Sequence, residues 1–191
     1  MAPNLPQPVL ETQRLTLRPF TLADAPAVQK QAGAREVAST TLNVPHPYED
    51  GMAEAWISSH APGFEAGDQA TYAIVTRDDD QLVGAIGLMI NRAHARGELG
   101  YWIGVPFWNR GYATEAARAV LRFGFEELEL NRISAIHLVR NPPSGRVMEK
   151  SGMRHEGILR QHFRKWGEFE DVAQYGVLAG EWRRAHRLDS P

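Results

Sequence analysis

The chain has no cysteine at any of its 191 positions. That excludes disulfides, thiolate-ligated zinc and a cysteine nucleophile. Acyl chemistry would have to use another nucleophile or go straight to an acceptor. No apolar run approaches the length of a membrane span, and the opening MAPNLPQPVLETQRL has neither the basic nor the apolar region of a secretory leader. These absences lead us to expect a cytoplasmic protein with no membrane partner. Charge of one sign is not in excess either: 21 Lys and Arg stand against 23 Asp and Glu, a net charge of -2. A domain that holds nucleic acid by counterion release carries a basic excess, so nucleic acid is not expected as a partner. The histidines are scattered without H-x-x-x-H spacing, so no metal is expected, and no G-x-S-x-G elbow is present for a serine hydrolase.

What is present is an ordinary globular balance, 43% hydrophobic and 23% charged, on a length that suits one core. Residues 1–191 read as a single domain. A flexible arm is expected over 1–9, where three prolines fall, and a C-terminal tail over 180–191. Leu15 and Leu17 alternate with polar residues and predict a strand stopped by Pro19. Thr21, three residues before Asp24, has the form of an N-cap and predicts a helix running to about Gly33. The stretch 34–67 gives only a loop and a helical pattern in Met52, Trp56 and Ile57.

Strands are predicted from Thr71 to Val75 and from Leu82 to Ile90 around the polar turn at Asp78–Asp80, then from Glu98 to Val105. Asn109 to Leu128 is the clearest helix, with Ala113, Ala116, Ala117, Val120, Leu121 and Gly124 at helical spacing. A strand at Ile133–Val139, a short helix at Ser144–Ser151 and two strands around a turn near Gly167 complete the order β-α-α-β-β-β-α-β-α-β-β. That order predicts an α+β (mixed α/β) domain, a largely antiparallel twisted sheet with helices on both faces.

The chemistry is concentrated in ELGYWIGVPFWNRGYATEAARAVLRFGF. A strand ends at Val105, and a helix opens around Arg110-Gly111-Tyr112-Ala113. The first-turn amides of a helix have no partner within it, and with the helix dipole they suit phosphate. Gly111 and Ala113 leave room for such a ligand, and Arg110 could add charge. The same residues also fit a tight strand-to-helix turn with no ligand. Asn141 precedes two prolines that hold it extended, and reads either as a ligand-side residue or as a loop residue bonding its own backbone. Ser144 reads as the N-cap of the next helix. Glu98 reads either as a base or as an exposed strand glutamate. His137, inside an apolar strand, reads as structural, and Tyr72 and Trp102 read as core.

These segments resemble the GNAT superfamily of N-acetyltransferases, within it the RimJ/RimL-like branch. W-N-R-G-Y-A matches the family's pyrophosphate loop Q/R-x-x-G-x-G/A at Gly111 and Ala113, with Trp108 at the Gln/Arg position as in the branch form W-x-x-G-Y-A-T-E-A. NPPSGRVMEKSGM is similar to N-x-x-S-x-x-V-x-E-K-x-G-F, with Met153 for Phe, and the ends ETQRLTLRPF and GEFEDVAQYGVLAGEW extend the likeness over nearly the whole chain. The resemblance implies acetyl-CoA as co-substrate and a primary amine as acceptor, a protein N-terminus or a small molecule; a homodimer is allowed for. It implies a fourth strand splayed from the fifth at a bulge, with Ile103, Gly104 and Val105 along the pantetheine arm. It places Asn109, Arg110, Gly111, Tyr112, Ala113 and Thr114 at the phosphates, Asn141 near the pantetheine and Ser144 near the sulfur. It gives Glu98 as base and Ser144 as proton donor to the thiolate. The alternative is a CoA-binding sensor or structural relative with weak catalysis.

Overall fold

A computed structural model describes residues 6–187. Residues 1–5 of the expected arm and 188–191 of the expected tail lie outside the described residues. The strands are β1 (Leu10–Glu11), β2 (Leu15–Arg18), β3 (Gln69–Thr76), β4 (Leu82–Asn91), β5 (Arg96–Ile103), β6 (Arg132–Leu138), β7 (Arg154–Lys165) and β8 (Glu168–Leu178). They form one sheet in the order β1-β2-β3-β4-β5-β6-β8-β7. Every neighbouring pair is antiparallel except β5–β6. The mixed α/β architecture and its largely antiparallel sheet are as the pattern predicted. Among the described residues, no helix is long and apolar enough to cross a membrane.

Side-chain alternation along the strands separates two cores. Tyr72 and Ile74 of β3 face one side, where they join Leu15, Leu17, Ile86, Leu88 and Leu99. There they meet the small-residue stripe of α5 (Tyr112–Glu126), including Ala116, Ala117, Val120 and Leu121. The side chains between them, Ala73 and Val75, face the opposite side with Leu82, Ala85 and Trp102. That side is covered by α1 (Ala25–Ala32), α2 (Arg35–Thr40) and α3 (Met52–Ser58), through Val28, Val37, Ala53 and Ile57.

Several boundaries differ from the expected ones. The strand expected to run from Glu98 to Val105 is β5, which ends at Ile103 because Pro106 turns Val105–Phe107 into a 3-10 helix. The predicted helix from Thr21 to Gly33 begins as a 3-10 turn, Leu22–Asp24, before α1. The Asp24 carboxylate accepts the Thr21 amide at 2.8 Å and also grips Arg18 in two bonds of 2.8 Å each. The stretch 34–67 holds three helices, the third being α4 (His60–Ala66). α6 (Pro142–Lys150) starts two residues before Ser144, which therefore lies in its first turn and is not its N-cap. Two successive prolines are preset for a helix start and have no N–H to lose there. Finally, 179–187 is no loose tail: α7 (Ala179–Arg187) buries Trp182, whose ring lies 5.5 Å from that of Phe125. In the expected arm, Gln7 donates to the Thr71 carbonyl at 2.8 Å.

Candidate active site

β5 and β6 pair in parallel only from Arg96–Leu99 to Arg132–Ala135. Beyond that point β5 continues along β4 as far as Ile103, and β6 along β8 as far as Leu138. The two strands thus part in the middle of the sheet. This is the splay expected of the fourth and fifth strands, here β5 and β6 because a two-residue strand precedes them. β5 keeps its register with β4 throughout, so the opening forms without a bulge between them.

The opening belongs to a cleft of about 1070 Å³. Glu98, Ile103, Asn109, Gly111, Tyr112, Ala113, Thr114, Asn141 and Ser144 all line it, so one space collects residues far apart in sequence. Gly104, Val105 and Arg110 do not line it. The Gly104 amide donates to Val83 at 2.9 Å, and a Cβ on Gly104 would lie 2.5 Å from the Gln31 Oε1. Gly104 is therefore a glycine because α1 approaches closely. The Val105 carbonyl accepts the Trp108 amide at 3.2 Å. The Arg110 guanidinium lies over the Phe107 ring, 5.7 Å from its centre.

Strand alternation identifies which backbone groups are open instead. The Gly104 amide points to β4, so those of Trp102 and Gly100 do too, while Tyr101 and Ile103 direct theirs toward the opening. The Ile103 carbonyl there accepts the Trp108 indole N–H at 2.7 Å. Trp108 thus clips the end of β5 to the loop before α5, a side-chain role the motif comparison did not supply.

α5 opens on that loop. Gly111 has φ +80°, a left-handed conformation that glycine adopts without penalty, and Asn109 has φ +61°. A Cβ on Gly111 would meet only the Arg14 guanidinium, at 3.4 Å, so its cleft side is clear. The Gly111 carbonyl takes the first helical bond, from Glu115 at 3.1 Å. The amides of Tyr112, Ala113 and Thr114 precede it and have no partner within the helix. Arg14 braces the turn from β2's approach, pairing with Glu115 at 2.7 Å and donating to the Arg110 carbonyl at 3.0 Å.

The other wall is the start of α6. The Tyr101 hydroxyl donates to the Ser144 carbonyl at 2.9 Å and shares a hydrogen bond of 2.8 Å with the Ser144 hydroxyl. Burial drives the Tyr101 phenol well above its ordinary pKa, so it stays protonated. Tyr101 escaped the sequence reading because an isolated tyrosine in a strand carries no spacing signal. Asn141 leans toward the carbonyl of Thr40 at 3.4 Å. His137 is buried with Nδ1 2.8 Å from the Leu138 carbonyl, as a structural histidine would be, though it also touches the cleft. Tyr72 is fully buried away from the cleft; Trp102 is buried and forms part of its wall.

On the α1–α3 side the cleft is closed by the segment after α2. Lys165, only 7% exposed, reaches from the end of β7 to donate to the carbonyls of Leu42 at 3.3 Å and Val44 at 3.1 Å. Burial, helped by the charge of Arg140, lowers its pKa. Arg140 pairs with Glu170 at 2.8 Å and donates to the Ser39 carbonyl at 2.7 Å. The β7–β8 hairpin thus holds down a segment that sequence patterning left unread.

The family model described as an acetyltransferase (GNAT) domain matches residues 14–154. The chain is similar to the uncharacterized N-acetyltransferase YnaD of Bacillus subtilis (strain 168), 34% identical over 174 residues, 91% of this chain and 98% of that protein. It is 32% identical over 172 residues to the uncharacterized N-acetyltransferase YoaA of the same strain, 90% of this chain and 97% of that protein. Among solved structures, the GNAT-family acetyltransferase from Bacillus anthracis superposes with a TM-score of 0.80 at 28% identity, over 91% of this chain and 99% of that one.

Proposed function

The chain belongs to the GNAT acetyltransferase family, and from that premise we propose that it moves an acetyl group from acetyl-CoA directly to a primary amine, a protein N-terminal α-amine or a small molecule. The observation that carries the reading is the opening between β5 and β6 with the unpaired first turn of α5 at its mouth. The residues present fit the co-substrate. Gly111 leaves the amides of Tyr112, Ala113 and Thr114 open to a diphosphate, and an extended amide chain can add to the Tyr101 backbone groups and the Ile103 N–H that face the opening. Acetyl-CoA supplies the activated acyl carbon.

The chain's own residues hold and move protons. Glu98 lies on β5 within the cleft and takes the proton of the incoming ammonium, directly or through water. A β5 amide facing the opening polarises the thioester carbonyl. The amine nitrogen bonds to the acyl carbon and the carbon–sulfur bond breaks. The second proton, shed by the nitrogen as the amide forms, is relayed to the departing thiolate through the Ser144 hydroxyl, which gives up one proton and takes the other and which the Tyr101 phenol holds at 2.8 Å. With no cysteine in the chain, no thiol is available to hold the acyl group on the protein. Glu98 in the cleft favours the enzyme over the sensor, which would need no base there.

Calorimetric titration with CoA, then thiol release from acetyl-CoA with a panel of amines, tests the reading. CoA binding with amine-dependent thiol release is expected. CoA binding with no turnover on any amine would leave the sensor, and absence of CoA binding would overturn both.

A further inference from the structure

The face of the sheet toward α1 and α3 carries three cross-strand rows. Ala73, Ala85 and Trp102 are register partners and belong to the core on that side. Two residues along each strand, the next row on the same face is Thr71, Gly87 and Gly100, and the one beyond it is Gln69, Met89 and Glu98. The middle row is bare backbone at two of its three positions. A Cβ placed on Gly100 would meet nothing within 4 Å, so open space lies directly above it. Trp102 stands at one side of this gap and Met89, 60% exposed, at the other, and Met52 and Trp56 of α3 line the same cleft.

The backbone of this floor is already committed. Gly100 directs its N–H and C=O toward β4, and β4 is paired on both edges. The floor's backbone therefore offers peptide planes and no free donors or acceptors, and the Thr71 hydroxyl is the one polar side-chain group in the row, which suits a flat, largely apolar group better than a peptide backbone. Beside it, Glu98 is the one carboxylate among the described residues that line the cleft. The charged side chains Arg140, Arg146 and Lys150 line it too. Arg140 is paired with Glu170, but among the described residues no carboxylate besides Glu98 lines the cleft, so a second ammonium on an acceptor would find no further anion there.

Resting on the acetyltransferase reading, we propose that the acceptor is a small monoamine whose flat apolar body, an aryl or branched alkyl group, lies over Gly87 and Gly100 with its ammonium at Glu98. Polyamines and peptide N-termini are disfavoured by the same features.

Phenethylamine, spermidine and an alanyl tripeptide amide serve as probes, titrated calorimetrically into the CoA-loaded protein and assayed for thiol release with acetyl-CoA. Phenethylamine is expected to bind and turn over at least tenfold better than either other probe. Gly100→Val, which fills the open space on a strand, should cut phenethylamine affinity at least tenfold while CoA affinity stays within twofold. Met89→Glu, at an exposed position opposite Glu98, should raise spermidine affinity severalfold. Preference for spermidine or the tripeptide, or equal phenethylamine affinity in wild type and a folded Gly100→Val, would overturn the proposal. The amine titrations, run on the CoA-loaded and on the CoA-free protein, decide this even without turnover, whereas failure of CoA to bind would count against the acetyltransferase reading alone.

Discussion

The hydroxyls of Tyr101 and Ser144 lie 2.8 Å apart, joining β5 to the first turn of α6 across the cleft. Tyr101→Phe removes that link and leaves the Ser144 carbonyl and hydroxyl without this partner. The loss is expected to cost about 1 kcal/mol, a fall in Tm of about 2–4 °C for a chain of this size. Because the raised pKa keeps the phenol protonated, the wild-type rate should show no descending limb from Tyr101 at the ordinary tyrosine pKa. Ser144→Ala should lower kcat more than Tyr101→Phe does. The reverse order would give the proton-donor role to Tyr101. Thermal melts and pH–rate profiles of both variants check this.

Glu98→Gln should lower the rate mainly at neutral and lower pH. An alkylamine with a pKa near ~10.4 is mostly protonated there, and a base contributes roughly 10²-fold or more only while a proton must be removed. As the pH rises and free amine appears, the variant should recover toward wild type. A pH–rate profile parallel to the wild-type one at every pH would remove Glu98 from the role.

Gly111→Glu places a carboxylate and an L side chain at φ +80°. The backbone strain should cost about 1–2 kcal/mol of stability, and losing charge-assisted phosphate contacts should weaken CoA at least about tenfold. Arg110→Ala should matter far less than its place in the motif suggests, because Arg110 does not line the cleft and its guanidinium packs over the Phe107 ring. Calorimetric titration of CoA against both variants measures the contrast.

His60 sits 6% exposed among Phe20 and Trp56, with no hydrogen-bond partner on either ring nitrogen. Burial lowers its pKa to about 4. The folded chain therefore holds it neutral while the unfolded chain protonates it near pH ~6.5. Stability should be full above pH ~6.5 and fall as the pH drops toward 4, by roughly 3 kcal/mol at most, with no further loss from this group below that. His60→Phe should flatten the curve of Tm against pH over that window.

Lys165→Met removes two hydrogen bonds that hold the backbone of Leu42 and Val44 against the cleft. The neighbouring segment should loosen, raising the KM for the amine about fivefold, as expected for about 1 kcal/mol, with CoA affinity unchanged. Steady-state kinetics with each substrate varied in turn separate this from general destabilisation.

The sequence by itself determined the alternation in β3 and β4, the small-residue stripe of α5 and the glycine at its mouth. Each is a local pattern, read from side chains a few residues apart. Those patterns were enough for the mixed α/β sheet and for the motif pair around Gly111 and Asn141. Only the tertiary structure decided that β5 parts from β6 after Leu99, and that Tyr101 meets Ser144, 43 positions away. It also decided that Gly104 serves α1 through Gln31, that Arg110 lies over the Phe107 ring, and that Lys165 holds a segment 121 residues earlier in the chain. The physical reason is the same in each case. A strand's pattern fixes which face a side chain takes, but not which neighbour its backbone finds at the point where pairing stops. The acceptor floor shows this most directly: Gly87 and Gly100 lie 13 positions apart in sequence, and form one strip of bare backbone, open above Gly100, only because the register sets them opposite each other.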